Sequence, residues 1–379
     1  MLSYLEPDGP RGPLPGDSGQ GKTKVVGMDL TGRVQTVLGP IGPEELGVTL
    51  THEHLLIDLS VVYDTPESAS ERGFFNSPVS METLGRIRHY GAANADNARL
   101  QDVDTAIDEA NLYRQYGGMS LLEASSMGLS RDPAGLARIS RATGVNIIMG
   151  ASYYVAAAHP PDMASISEDD IVAQIVRDVT EGADGTDVRS GVIGEVGCSW
   201  PLTDNERKVL RASARAQTMT GAPLLIHPGR DEAAPMEIIE VLVAAGADLG
   251  RTIMGHIDRT ALLHETRKQI ADAGCYLNWD LFGREESYYP SSSKIDMPND
   301  ATRMDDISAI ISEGFGGKVL VAHDICSKHR LVRYGGHGYH YILAHIVPRM
   351  RVRGFSDEAI DDILVNNPRD ALTFVEPGS

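Results

Sequence analysis

Cysteine is scarce in this chain. Only Cys198, Cys275 and Cys326 occur in 379 residues, and none share a CxxC spacing. An odd, scattered set supplies neither a disulfide framework nor a thiolate zinc knuckle, and it fits a reducing, cytoplasmic setting. Long hydrophobic runs are also lacking, with no stretch approaching the roughly 18 apolar residues of a membrane helix. Basic residues are in deficit: 34 Lys and Arg stand against 53 Asp and Glu, a formal net charge of -19. That excess repels phosphate backbones and anionic bilayers. Nucleic acid and membranes are therefore not expected partners, and a small molecule drawn in by local charge is. The N-terminus has no apolar h-region of a secretory signal; segments such as Pro10-Arg11-Gly12-Pro13 make residues 1–32 an expected flexible extension. No internal repeat and no long linker follow, so 33–379 reads as a single domain.

What is present is ordinary globular composition, 42% hydrophobic and 23% charged. Short apolar runs recur at 48–50, 120–123, 145–149, 192–193, 223–226, 252–254, 275–277 and 318–321. Runs of this length rich in Val, Ile and Leu read as strands buried on both faces. Amphipathic stretches lie between them. Segment 100–116 places Val103, Ile107, Ala110 and Tyr113 on one helical face, and 203–220 opens on the capping-box pattern Thr203-x-x-Glu206. Segments 236–245 and 262–273 behave similarly. Strands alternating with helices predict an α/β fold, a (β/α)8 TIM barrel with its active site at the C-terminal strand ends, with a doubly wound sheet as the alternative on periodicity alone. Segment 61–97 is too long for an ordinary βα loop and is read as an insertion near the site.

The chemistry sits immediately after the strands. The first is followed by Thr51-His52-Glu53-His54, and alternation along an extended strand sends both imidazoles to one side. An HxH alone is a weak signal. It gains force from Glu195 after the fourth strand, His227 after the fifth, His256 after the sixth and Asp324 after the eighth. In a (β/α)8 barrel these ends converge on one face. Independent core histidines or ordinary strand-end polar residues at all of these positions would be an improbable coincidence.

The order HxH, carboxylate, His, His, Asp resembles the phosphotriesterase branch of the amidohydrolase superfamily. The strings Val34-Gln35-Thr36-Val37-Leu38-Gly39 and Thr49-Leu50-Thr51-His52-Glu53-His54 are similar to its N-terminal signature. Gly194-Glu195-Val196-Gly197-Cys198-Ser199-Trp200-Pro201, His227-Pro228-Gly229-Arg230 and Tyr334-Gly335-Gly336-His337-Gly338-Tyr339 resemble the phosphotriesterase-related proteins of animals, and the match runs from Arg33 to Phe374. This resemblance implies two divalent ions. His52, His54 and Asp324 would hold the more buried one, His227 and His256 the more exposed one, and Glu195 would bridge them. True phosphotriesterases would have a carboxylated lysine at the bridge, so the substitution by Glu195 weakens any inference of phosphotriester hydrolysis.

Imidazole and carboxylate donors suit Zn2+, with Mn2+, Co2+ or Fe2+ also tolerated. Two cations sharing one water lower its pKa enough for hydrolysis at neutral pH. Asp324 is read as both ligand and general base, and Tyr154 resembles a tyrosine that reaches the metals in related lactonases, with core packing as its alternative. Glu123 and Asp258 are expected to orient histidines or move a proton, and His323 to point away from the site. Arg230, with His337, Lys328 and Arg333 nearby, would form a cationic mouth for an anionic head group. The resemblance implies cleavage of a small N-acylated amine such as N-acetyltaurine or an N-acetyl amino acid, by a homodimeric enzyme. A lactonase or carboxylesterase is the alternative, with phosphotriester cleavage a side activity. A non-catalytic binding relative would be expected to lose a ligand or the base, and here all six positions are filled.

Overall fold

The computed structural model describes residues 29–63, 65–90, 94–292 and 294–378. The proposed extension therefore lies almost wholly outside the described residues. Eight parallel strands form one sheet in sequence order: β1 (Thr49–Glu53), β2 (Ser120–Glu123), β3 (Asn146–Ala151), β4 (Val192–Gly197), β5 (Leu224–His227), β6 (Thr252–Met254), β7 (Tyr276–Trp279) and β8 (Val319–Val321). Every neighbouring pair in that order is hydrogen-bonded in parallel. Each strand contains or borders its expected apolar run, and the doubly wound alternative is excluded. β8 and β1 meet at a seam that is not a full ladder. It is closed by Asp324 N donating to His52 O at 3.1 Å and Thr51 Oγ1 donating to Val321 O at 3.4 Å.

Period two along the strands separates two cores. Leu122, Ile148, Val192, Leu225, Ile253 and Leu320 turn into the lumen. Their neighbours Leu121, Ile147, Ile193, Ile226, Met254 and Val321 pack with the surrounding layer. The N-terminal end of the lumen is plugged by an antiparallel hairpin, Val34–Thr36 with Gly39–Ile41, whose Val34 joins the lumen core together with Leu46. The opposite, C-terminal end stays open.

Segment 61–97 supplies two short helices, α1 (Ala69–Phe75) and α2 (Met81–His89), each started by a serine cap, Ser68 and Ser80. After it come α3 (Val103–Gln115), α4 (Pro133–Thr143), α5 (Glu168–Thr180), α6 (Asp204–Thr220), α7 (Ala234–Ala244), α8 (Ile257–Thr260), α9 (His264–Asp272) and α10 (Asp300–Ile310). The capping box of α6 forms as its sequence predicts: Glu206 N donates to Thr203 Oγ1 at 3.2 Å, and Thr203 N to Glu206 Oε2 at 2.9 Å. The buried Glu206 does more than cap. Its Oε1 accepts from Ala156 N and Ser199 N, each at 3.0 Å, tying together the loops that follow β3 and β4 behind the open end.

Candidate metal centre

The strand ends bring all six expected donors to one place at the open end of the barrel. His52 Nε2 lies 3.5 Å from Glu195 Oε2 and 3.9 Å from Asp324 Oδ1. His54 Nε2 lies 3.5 Å from Glu195 Oε1 and 3.2 Å from Asp324 Oδ1. On the other side of Glu195, Oε2 is 2.8 Å from His227 Nδ1 and 3.6 Å from His256 Nε2. Glu195 thus stands between the two sides of the ring, with Oε1 towards His54 and Oε2 within reach of His52, His227 and His256.

Local backbone explains the convergence. Gly194 has φ 137°, and a Cβ there would run into the Leu225 carbonyl, so glycine alone can precede Glu195 on this strand. His256 and Asp324 each follow a strand in the left-handed region, at φ 52° and 51°. That conformation costs a non-glycine residue about 1 kcal/mol or more and is sustained where surrounding structure over-determines it. Here it turns both side chains inward.

The donors meet the requirements of divalent cations. Two groups, His52 with Glu195 and His256, and His52 with His54 and Asp324, present ligand atoms within 4.8 Å of one another. His52 is fully buried, yet neither of its ring nitrogens makes a well-directed hydrogen bond, although Nδ1 lies 2.9 Å from Asp280. Buried polar atoms seldom go unmatched. Burial opposes the charged form of His52, but Asp280 and Glu195 outweigh it and raise its pKa well above the ordinary value. Burial likewise works against an ionised Glu195, and His227 and His52 overcome it to hold the carboxyl well below its usual range. Both shifts express one demand, for positive charge inside the ring. His227 is held neutral instead, down to about 3, chiefly by burial with help from His256 and Arg259; a neutral imidazole is what a metal ion requires.

Behind the ring lies a residue that sequence reasoning missed. Asp280, just past β7, places Oδ2 2.9 Å from His52 Nδ1 and Oδ1 2.8 Å from His256 Nδ1, and it also accepts from His256 N at 2.9 Å. Its only sequence signal is a carboxylate just past a strand that contributes no ring donor. The orienting role expected of Asp258 belongs to Asp280. α8 begins directly after His256, and Asp258 on it accepts from Arg303 Nε at 2.7 Å and Leu281 N at 3.0 Å. Glu123 stands where expected, 3.9 Å from His54 Nδ1, with Ser125 between them accepting or donating at 2.9 Å. His323 points away from the ring, its Nδ1 2.7 Å from Glu53 Oε1.

A cavity of about 480 Å³ opens above the ring, lined by His54, Glu195, His227, His256 and Asp324 at its floor. Tyr154 and Arg230 are on its wall as expected. The Tyr154 ring lies 4.9 Å from that of His227, edge to face, and Arg230 Nε donates to the Tyr289 hydroxyl at 2.7 Å. Segment 61–97 does border the site, through Val62, Tyr63, Arg88 and His89. The cationic mouth is composed differently from the expectation. Lys328 is turned into an ion pair with Asp96 at 2.6 Å, Arg333 is exposed, and neither lines the cavity. His337 lines it, but burial and the nearby Arg330 hold it neutral. The positive charge comes instead from Arg230, Arg259, Arg284 and Arg330, with Arg88 at the rim.

These features agree with comparisons to known proteins. The phosphotriesterase family model matches residues 32–372. An N-acetyltaurine hydrolase from Tetraodon nigroviridis is 45% identical, covering 91% of this chain and 99% of its own. A resiniferatoxin-binding protein from Rhodobacter sphaeroides superposes with a TM-score of 0.86 at 36% identity, over 91% of this chain and 96% of that one. A lactonase from Listeria monocytogenes gives 0.74 at 25% identity, over 91% and 100%. No helix among the described residues is long and apolar enough to cross a membrane. The chain belongs to the phosphotriesterase family and is a metal-dependent hydrolase of the amidohydrolase superfamily.

Proposed function

We propose that this hydrolase cleaves the amide bond of a small N-acylated amine carrying an acidic group, such as N-acetyltaurine or an N-acetyl amino acid. His52, His54 and Asp324 would hold one divalent cation, His227 and His256 a second, and Glu195 would bridge them, with Zn2+ the best match to the donors and Mn2+, Co2+ or Fe2+ acceptable. Cations bound there would acidify a water and polarise the scissile carbonyl.

The observation that carries the reading is the position of Asp324. Its side chain is 16% exposed, whereas His52 and Glu195 beside it are 0% and 2% exposed, so of the three it is the most accessible from the cavity. From there it takes the proton of the attacking water and returns it to the departing nitrogen. An amine leaving group needs that proton far more than a phenolate or an alkoxide does. Tyr154, on the cavity wall next to His227, donates its hydroxyl proton to the substrate's carbonyl oxygen. Arg230 gives a charge-assisted hydrogen bond to the acidic group. The identity shared with N-acetyltaurine hydrolases supports this substrate class.

Lactone or ester hydrolysis is the second reading, supported by Tyr154 and by the lactonase fold relative. The metal-loaded protein should be assayed against N-acetyl amino acids, N-acetyltaurine, lactones and paraoxon-like triesters. An amide preference in kcat/KM above about a hundredfold, roughly 2.7 kcal/mol in transition-state binding, is expected. Faster turnover of lactones would replace the amidase reading. The same proposal treats 33–379 as one catalytic domain that works as a cytoplasmic homodimer, in keeping with three unpaired cysteines; sedimentation of a chain starting at residue 33 tests the domain and the dimer together.

A further inference from the structure

Five arginines are buried among the described residues, and their partners divide them sharply. Arg131 pairs with Asp178 and Asp184, Arg267 with Asp306, and Arg303 with Asp258 and Asp300. The remaining two, Arg259 and Arg330, are 2% and 7% exposed and have no carboxylate partner among the described residues. Both line the cavity above the metal ring. Arg330 is committed to backbone, donating to Asp324 O at 2.7 Å and Phe282 O at 3.1 Å. Arg259 Nη1 donates to Pro228 O and Thr260 Oγ1, and its Nη2 lies 3.1 Å from His227 Nε2.

Two half-buried guanidiniums join Arg259 on the cavity wall, also without a carboxylate among the described residues. Arg230 has the Tyr289 hydroxyl as its one hydrogen-bond partner there, and Arg284 lies over the face of the Tyr289 ring, 4.8 Å from its centroid. Glu286 is on the same wall but exposed, and it pairs with none of them. A buried cation lacking its counter-charge is costly, and the three paired arginines show how this fold meets that cost elsewhere. Tyr289, 4% exposed, is the nearest substitute for an anion. Burial disfavours its phenolate, yet Arg259, Arg230 and Arg284 together bring it down to about 8.

We propose that Arg230, Arg259 and Arg284, which share the cavity wall with Tyr289, form the subsite for the substrate's acidic end, and that this end is an oxyacid ionised at neutral pH, a carboxylate or sulfonate. The proposal rests on the functional reading above for the rest of the substrate, and it adds which side chains select the class. Neutral triesters and simple lactones leave the three guanidiniums unmatched. An oxyanion satisfies them with charge-assisted hydrogen bonds, and Arg forks fit its planar or trigonal oxygens.

The test is calorimetric binding of ethanesulfonate, propanoate and uncharged propanamide to the metal-loaded full chain. Both anions are expected to bind at least tenfold more tightly than propanamide. Arg259→Gln and Arg284→Gln should each weaken the anions about tenfold and leave propanamide unchanged, and Arg284→Lys should recover part of the loss. Arg284 is only half-buried, so its variant remains informative if Arg259→Gln does not fold. Unchanged anion affinity in Arg284→Gln would mean that the anions sit on the metals alone, and the subsite would be wrong. Tighter sulfonate than propanoate binding, or the reverse, identifies the oxyacid. Binding needs no amide cleavage, so the two proposals fail separately. A protein that binds both anions through Arg284 yet cleaves only lactones keeps the subsite and loses the amidase reading, and efficient amide turnover with no arginine-dependent binding does the opposite.

Discussion

The floor and the wall of the cavity are built from opposite charges. The floor gathers Glu195, Asp324 and, behind them, Asp280 around four histidines, and its chemistry calls for cations. The wall carries Arg230, Arg259 and Arg284 together with Tyr289, and its chemistry calls for an anion. Neither region neutralises the other, although both line the same 480 Å³. The lesson concerns scale. A chain with a net charge of -19 keeps a strongly cationic recess, because potential in a closed cavity is set by neighbours within a Debye length of about 8–10 Å.

The largest effects are expected at the floor. Stripping the metals with a chelator should lower kcat/KM by more than roughly 10⁴-fold, restored by reloading, because several kcal/mol of electrostatic stabilisation goes with them. Asp324→Asn should lower kcat by on the order of 10³ while metal content, measured by elemental analysis, stays near wild type. Asp280→Asn leaves every direct donor in place yet loosens His52 and His256 together. Competition with a chromophoric chelator should show metal affinity reduced by about 10–100-fold.

The wall gives smaller effects. Arg230→Met should raise KM for an acidic N-acyl substrate about tenfold, with little change for an uncharged lactone, as the loss of one charge-assisted hydrogen bond requires. The smallest effect is on stability. His329 lines the same wall with its Nδ1 3.0 Å from Asn97 Oδ1, and burial, reinforced by Arg330, Arg284 and Arg88, lowers its pKa to about 3. The unfolded histidine titrates near 6.5, so between these values the unfolded state binds the extra proton. His329 therefore favours the folded state above pH 6.5 and ceases to as pH falls from 6.5 towards 3. Urea midpoints measured from pH 7 to pH 4 should fall less steeply for His329→Gln than for wild type.

The floor was legible in the sequence, and the wall only in part, at Tyr154 and Arg230. Every ring donor lies within four residues of the end of a short apolar run, so alternation and the barrel's convergence were enough to collect His52, His54, Glu195, His227, His256 and Asp324. Asp280 escaped because nothing local distinguishes a strand-end aspartate that supports ligands from one that caps a helix. Asp258 misled for the same reason: adjacency to His256 suggested a partnership that the onset of α8 redirects to Arg303. Lys328 and Arg333 were grouped by nearness in sequence, whereas the wall is assembled from residues far apart along the chain. Arg259 follows β6, and Arg284 and Tyr289 follow β7. No periodicity encodes that meeting. Strand positions were read closely, since β1 to β8 are short and continuous in apolar character, but the N-terminal hairpin and the helices α1 and α2 were not read as elements because each is only a few residues long.

The seam between β8 and β1 has a consequence in time as well as space. Glu53, between the two histidines of the first strand, accepts from His323 N at 2.8 Å and Ile325 N at 3.1 Å across 270 and 272 residues of sequence. Those hydrogen bonds frame Asp324, so the last donor and the closure of the barrel arrive together. During synthesis, a nascent chain that has not yet emerged past its eighth strand carries the four ring histidines but not Asp324. On the proposed role of Asp324, hydrolytic competence would be withheld until the two ends of the barrel have met, and a chain cut short before that point would be expected to be inert rather than partly active.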